Sequence, residues 1–294
     1  MSNVKESRTY ELTLILPSQQ QGAAEVLESV LISLGLNRTD IAESYVDNKL
    51  MVSVYFKQLK LVNQFKKKLE GLSLKNVTLS KESLKDKDWQ LRWKKDFKPF
   101  VISERFIVIP AWLRGRVGLK RKKPLFIDST VAFGTGMHPT TRCMVQFIDE
   151  LAGRYGSFLD IGTGTGILAV AAAKSGAENI DAIDISPDSV ATAAKNLKYN
   201  KIFHVVLHIG NFNDLKLKKS YDFVAANMTT HDLLQLKKKI LKYVRPGKFL
   251  AVSGISLKNY PMFKKGFEAM PLRCLRTRKE DGWAALLYQR LFRQ

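Results

Sequence analysis

The chain has 294 residues, 45% of them hydrophobic and 26% charged, with 48 Lys and Arg against 27 Asp and Glu for a net charge of +21. That length exceeds a usual domain of roughly 100–200 residues, no run of about 18 apolar residues is present to span a bilayer, and the polar N-terminal stretch lacks the apolar core of a secretory leader. A cytoplasmic protein of two domains is expected, with acidic or nucleic-acid partners; two cysteines, Cys143 and Cys274, are too few for a disulfide framework or a metal cluster.

Residues 8–16, RTYELTLIL, predict a strand, and Ala24, Leu27, Val30, Leu31 and Leu34 then recur at helical spacing until Gly35. An extended piece at residues 44–46, a turn at Asp47-Asn48 and the alternating segment 50–56 predict a hairpin. A helix over 59–69 ends at Gly71, and a strand follows around 74–79. The order β-α-β-β-α-β is the split ferredoxin-like arrangement, so residues 1–80 are expected to form a small α+β domain. Residues 81–98 are charged and lack Gly and Pro, which predicts an exposed helical linker with Trp89 and Trp93 on one face.

The remainder, residues 99–294, carries the charge surplus, with 31 basic against 15 acidic residues after position 100 and 17 against 12 before it. A strand at 106–109 precedes the acid-free run Arg114, Arg116, Lys120, Arg121, Lys122, Lys123, which reads as a solvated loop or as a contact for ribosomal RNA. In the segment VAFGTGMHPTTRC, residues 131–143, Gly134, Gly136 and Pro139 mark a loop before a helix that Thr140 or Thr141 would cap. His138 in that loop is either structural or orients a substrate.

The strongest signal is residues 158–200, which read as strand, glycine loop, helix, strand, helix. Gly162, Gly164 and Gly166 let a ligand approach the backbone, and the following helix start offers free N–H groups, so a nucleotide-like ligand is implied. A dinucleotide site needs a third glycine where Ile167 stands, which disfavours NAD. The second strand ends in Asp184, twenty-two positions after Gly162, where a carboxylate can accept both ribose hydroxyls. Strand three, 205–209, leads into Gly210-Asn211-Phe212; His204 and His208 can face one side there, but no third ligand is evident and no metal is expected. Strand four, YDFVAAN, ends in Asn227, in the crevice at the carboxyl ends of parallel strands. A helix over 231–243, a turn at Arg245-Pro246-Gly247, a strand at 249–252 and a closing hairpin complete an expected seven-stranded mixed sheet of Rossmann-like α/β type.

The alternating glycines resemble the cofactor loop of class I S-adenosylmethionine-dependent methyltransferases. With the HPTT segment added, residues 89–294 resemble the PrmA-type enzymes, which trimethylate lysines of large-subunit ribosomal protein eleven. That resemblance implies S-adenosylmethionine as cofactor, held by Thr141, Gly162, Asp184 and Asn227, with Gly164 and Gly166 in the same loop and Asn211 near the adenine. It implies Asn227 as the catalytic residue facing an acceptor amine, the first 80 residues as the docking domain for that ribosomal protein, and no membrane partner. Met228, Thr229 and Thr230 depart from the Pro-Pro-aromatic platform of base-amino methyltransferases and from the aliphatic and small residues usual in the PrmA type. Lysine methylation of another protein, RNA methylation and non-catalytic binding stand as alternatives.

Overall fold

The computed structural model describes residues 8–17, 27, 30–31, 33–34, 36, 41–46, 49–56, 58–71, 78–85, 97–119, 121–128, 134–217 and 219–292. The chain divides into two compact units, Met1–Phe97 and Lys98–Gln294.

In the first unit, strands β1 (Arg8–Pro17), β2 (Ile41–Val46), β3 (Lys49–Phe56) and β4 (Thr78–Lys85) form an antiparallel sheet in the order β2-β3-β1-β4, with helix α1 (Leu59–Glu70) between β3 and β4. Alternation puts Leu12, Leu14, Val52 and Val54 on one face, where they bury Val62, Phe65 and Leu69 of α1. Leu27 and Leu31, both helical, enter the same core. This is the strand order of the split ferredoxin-like arrangement. The last strand differs from expectation: it starts at Thr78 and runs to Lys85, so residues 81–85 are strand and not linker helix. Their charge gives no strand signal, but β1 is long enough to pair as far as Arg8↔Lys85, and the backbone ladder sets the length. Residues 86–96, with Trp89 and Trp93, lie outside the described residues.

The second unit begins with β5 (Phe100–Val101), β6 (Phe106–Pro110) and β7 (Lys123–Ile127), a sheet in which β7 was not legible behind the basic run. The free edge of β7 is satisfied from a helix. Asn200 accepts from the Phe126 N–H at 3.0 Å and donates to its carbonyl at 2.8 Å, and Asn196, one turn earlier, does the same for Asp128 at 2.7 and 3.0 Å. Two asparagine amides thus replace a neighbouring strand and fix the segment that leads to the glycine-rich HPTT loop.

The main sheet contains β8 (Ser157–Ile161), β9 (Asn179–Asp184), β10 (Val205–Ile209), β11 (Tyr221–Asn227), β12 (Val244–Ser256), β13 (Leu272–Glu280) and β14 (Trp283–Arg290), in the order β10-β9-β8-β11-β12-β14-β13. The first five are parallel and β14 is antiparallel to both neighbours. Helices α2 (Pro139–Glu150), α3 (Ile167–Lys174), α4 (Pro187–Tyr199), α5 (Thr230–Tyr243) and α6 (Tyr260–Glu268) pack on it. β8 is buried at every residue and β11 at all but Asn227, as expected of central parallel strands read as continuous apolar runs. The expected turn at 245–247 is a bulge inside β12: the register against β11 moves from Tyr221↔Val244 to Phe223↔Phe249. Asp281-Gly282 closes the β13–β14 hairpin with φ of 47° and 84°, the left-handed pair of a tight primed turn, and so fixes Trp283. Among the described residues no helix is long and apolar enough to cross a membrane.

Candidate active site

Strand order reverses on either side of β8, so the loops leaving β8, β9 and β11 open onto one crevice. Gly162, Gly164 and Gly166 take φ of 75°, 53° and 78°, values that a side chain resists, which is why the three alternate. The N–H groups of Gly162 and Thr163 donate to the Ile183 carbonyl at 2.9 Å each, pinning the loop to the end of β9. Asp184 then joins both loops: its Oδ2 accepts from Gly164 N–H at 2.8 Å and its Oδ1 from Ser186 N–H at 3.0 Å. A carboxylate has about four acceptor sites, so the half-buried Asp184 keeps capacity for a diol. Gly166 begins α3, and a Cβ there would lie 3.0 Å from Ala193 Cβ, so the glycine also lets α3 start against α4.

Asp160, behind this loop, escaped the sequence reading. Its side chain is fully buried, and Thr163 Oγ1 donates to its Oδ2 at 2.7 Å. Burial pushes its pKa up to about 7, the Thr163 bond opposes this, the charge of Asp184 adds to it, and a hydrogen bond from the Ala169 backbone N–H opposes it again. The signal in the sequence was its place two residues before Gly162, but a buried strand position reads first as core. Thr165 Oγ1, donating to Gly134 O at 2.5 Å, ties the glycine loop to the HPTT loop.

Asn227 stands at the other side of the crevice. Its amide nitrogen donates to Thr140 Oγ1 at 3.3 Å, and that hydroxyl lies 2.7 Å from His138 Nδ1, which also accepts from Thr140 N–H at 3.3 Å as the cap of α2. His138 therefore caps the helix, as Thr140 and Thr141 do not, and packs edge-on to Trp283 at 5.0 Å. With its nitrogen so used, Asn227 presents Oδ1 as an acceptor. Thr141 is buried and its hydroxyl has no partner among the described residues. The departure after Asn227 is local architecture: Thr229 caps α5 by accepting from Asp232 N–H at 3.1 Å, and the Met228 N–H donates to Ser253 O at 3.1 Å.

The structure thus links Gly164 to Asp184 directly, Gly162 through Ile183 and Gly166 through Thr163, and Asn227 to the start of α2 where Thr141 lies. Asn211 is joined to them only through Gly210, whose N–H donates to Asp184 O at 2.9 Å; its own side-chain oxygen accepts from Asn213 N–H at 2.9 Å. His208 bonds Asp181 at 2.7 Å and His204 faces Ala177 O at 3.2 Å. Cys143 is buried beside Glu280, and burial first, then that carboxylate, pushes the thiol up to about 12, where it stays protonated.

The family model described as Ribosomal protein L11 methyltransferase (PrmA) matches residues 12–291. The chain is 33% identical over 216 residues to the ribosomal protein L11 methyltransferase of Geotalea uraniireducens, covering 69% of this chain and 68% of that one. To that of Staphylococcus aureus it is 28% identical over 257 residues, covering 85% and 82%. The crystal structure of a ribosomal protein L11 methylase from Lactobacillus delbrueckii subsp. bulgaricus superposes with a TM-score of 0.62 at 24% identity, over 67% of this chain and all of that one.

Proposed function

This chain belongs to the PrmA family of ribosomal protein L11 methyltransferases, and from that premise we propose how its residues serve the transfer of methyl groups from S-adenosylmethionine to lysine amines of L11, with the N-terminal amine as a further acceptor. The residues present suit that cofactor. Asp184 has acceptor capacity beyond its two N–H bonds, and among the described residues the buried Thr141 hydroxyl has no partner and a Cβ added at Gly162 would meet nothing closer than 3.9 Å. Gly162, Gly164, Gly166, Asp184, Thr141 and Asn211 would hold the adenosyl and amino-acid parts. When bound, the cofactor supplies an electrophilic methyl on a sulfonium.

An acceptor lysine starts with a pKa of about 10.4 and reacts only as the neutral amine. The proposed task of Asn227 is to accept a hydrogen bond from that amine through Oδ1 and aim its lone pair, a matter of alignment more than proton removal. Thr140 holds the Asn227 amide in the required sense, and His138 fixes Thr140. The observation that carries the reading is the single crevice in which Asp184 gathers the glycine loop on one side and Thr140 fixes Asn227 on the other. The N-terminal unit is proposed as the docking domain for L11, the setting as cytoplasmic, and RNA as a partner of the basic surface and not as an acceptor.

Incubation of the full chain with labelled S-adenosylmethionine and separate pools of L11 and ribosomal RNA tests the acceptor. Label is expected in L11, on lysine; label in RNA alone would overturn the protein-acceptor reading.

A further inference from the structure

The positive side chains of the second unit meet two fates. In the conspicuous run, the Lys122 ammonium donates to the carbonyls of Ser103 and Glu104, that of Lys123 to Lys174 O at 3.0 Å, and Arg114 lies 5.8 Å over the Phe126 ring. Elsewhere Lys219 pairs with Asp181 at 2.7 Å, and Arg245 and Lys248 pair with Asp222 at 3.1 and 3.6 Å. The lysines of the run and the ion-paired cations are thus engaged within the fold, whereas Arg114 and Arg116 stay exposed. Lys216, Lys238 and Lys242 are exposed and form no ion pair among the described residues. With Asn213, Gln235 and Tyr243 they line a groove of about 490 Å³.

The groove is built, not incidental. Its wall is Lys239, whose ammonium donates to Asn213 O at 2.6 Å and Leu215 O at 2.8 Å and lies 5.1 Å from the Phe212 ring, fastening the loop after β10 to α5. Burial lowers the Lys239 pKa; Asp214 opposes this, while the nearby charges of Lys242 and Lys216 add to it. Clustered cations of this kind attract a polyanion.

We propose that this groove binds the phosphodiester backbone of RNA, which gives a place to the RNA contact put forward above. Lys238 and Lys242 lie one helical turn apart, about 6 Å, in keeping with successive phosphates along a strand. A protein partner would want a different surface, since interface cores are depleted in lysine and enriched in aromatic and apolar groups. None of the large exposed apolar side chains among the described residues lines this groove.

The test is fluorescence anisotropy of the full chain with a labelled single-stranded RNA of about a dozen nucleotides, across a salt series. Each phosphate neutralised contributes a slope of about −0.7 in log K against log salt. The triple variant Lys216→Gln, Lys238→Gln, Lys242→Gln is expected to lose about two units of slope and at least roughly tenfold in affinity at physiological salt. The variant Arg114→Gln, Arg116→Gln is expected to keep nearly all of both. Unchanged slope in the triple variant, the main loss in the Arg114 variant, or binding of poly-glutamate as tight as RNA would each overturn the proposal. Because binding is read without methyl transfer, its failure is distinct from a failure of the acceptor assignment; methyl transfer to isolated L11 by the triple variant should match the parent.

Discussion

The two sides of the crevice are built by different means. On the glycine-loop side, backbone N–H groups and one carboxylate, all within residues 160–186, hold one another: three left-handed glycines, two N–H bonds to Ile183 and two to Asp184. On the Asn227 side, side chains from positions 138, 140, 227 and 283 meet across long sequence separations. The first is a motif, because its geometry needs particular residues at fixed spacing. The second exists only after β11, α2 and β14 have been brought together by the sheet. A shape for a cofactor is therefore written locally, whereas the proposed acceptor side is written in the topology.

The sharpest test exchanges the two sides. Asn227→Ala is expected to lower kcat for methyl transfer to L11 by about 100- to 1000-fold, the usual result of removing one preorganised polar group from a reacting centre. Binding of S-adenosylhomocysteine should weaken far less, within about tenfold by calorimetry. Asp184→Ala should do the reverse, weakening that binding by about 1–3 kcal/mol, because charge-assisted hydrogen bonds are lost, with little change in kcat at saturating cofactor. Parallel losses in both variants would erase the division.

Asp160 sharpens the glycine-loop side through pH. Its carboxyl is fully buried and its folded pKa, pushed up to about 7 by burial, lies above the unfolded value near 3.9. The folded state therefore binds the proton more tightly, and this group's contribution to stability is greatest below about pH 4 and is lost as pH rises through about 7. Asp160→Asn keeps an oxygen for Thr163 and removes the titration. Without cofactor, chemical denaturation should show the variant gaining on the parent by about 2–4 kcal/mol between pH 4 and pH 8. An equal difference at both pH values would mean that Asp160 is charged throughout.

The legibility of the chain follows the same division. Strand β11 was predicted to the residue, because a run of buried apolar residues leaves one solution, and the helix after the glycine loop was predicted in its place. Strand β7 was hidden, since KPLFI is short, begins with Lys and Pro, and takes its edge bonds from Asn196 and Asn200 some seventy positions later. β4 overran its apparent end because β1 supplied the partner. His138 was visible only as structural or substrate-orienting; that it caps α2 and leads through Thr140 to Asn227 needed the fold. The lysines of the anion groove failed to register for the same reason, with Lys216 more than twenty positions from Lys238, while the run at 114–123 drew notice although much of it serves local structure.

The smallest effect probes the link between Thr140 and Asn227. Thr140→Val preserves shape and removes the hydroxyl that accepts from the Asn227 amide and meets His138 Nδ1, while the Thr140 backbone N–H still donates to His138 and keeps the helix cap. If Thr140 acts by holding Asn227 in one sense, the side chain becomes free to rotate, and kcat should fall about tenfold, the worth of one buried hydrogen bond of roughly 1–1.5 kcal/mol. KM for S-adenosylmethionine should stay within about twofold, because no bond on the glycine-loop side changes. The double variant with Asn227→Ala should be no slower than Asn227→Ala alone, since a positioning residue has nothing left to position once its client is gone. Additive losses in that cycle would give Thr140 a contact of its own with the acceptor and would move the border between the two sides by one helical turn.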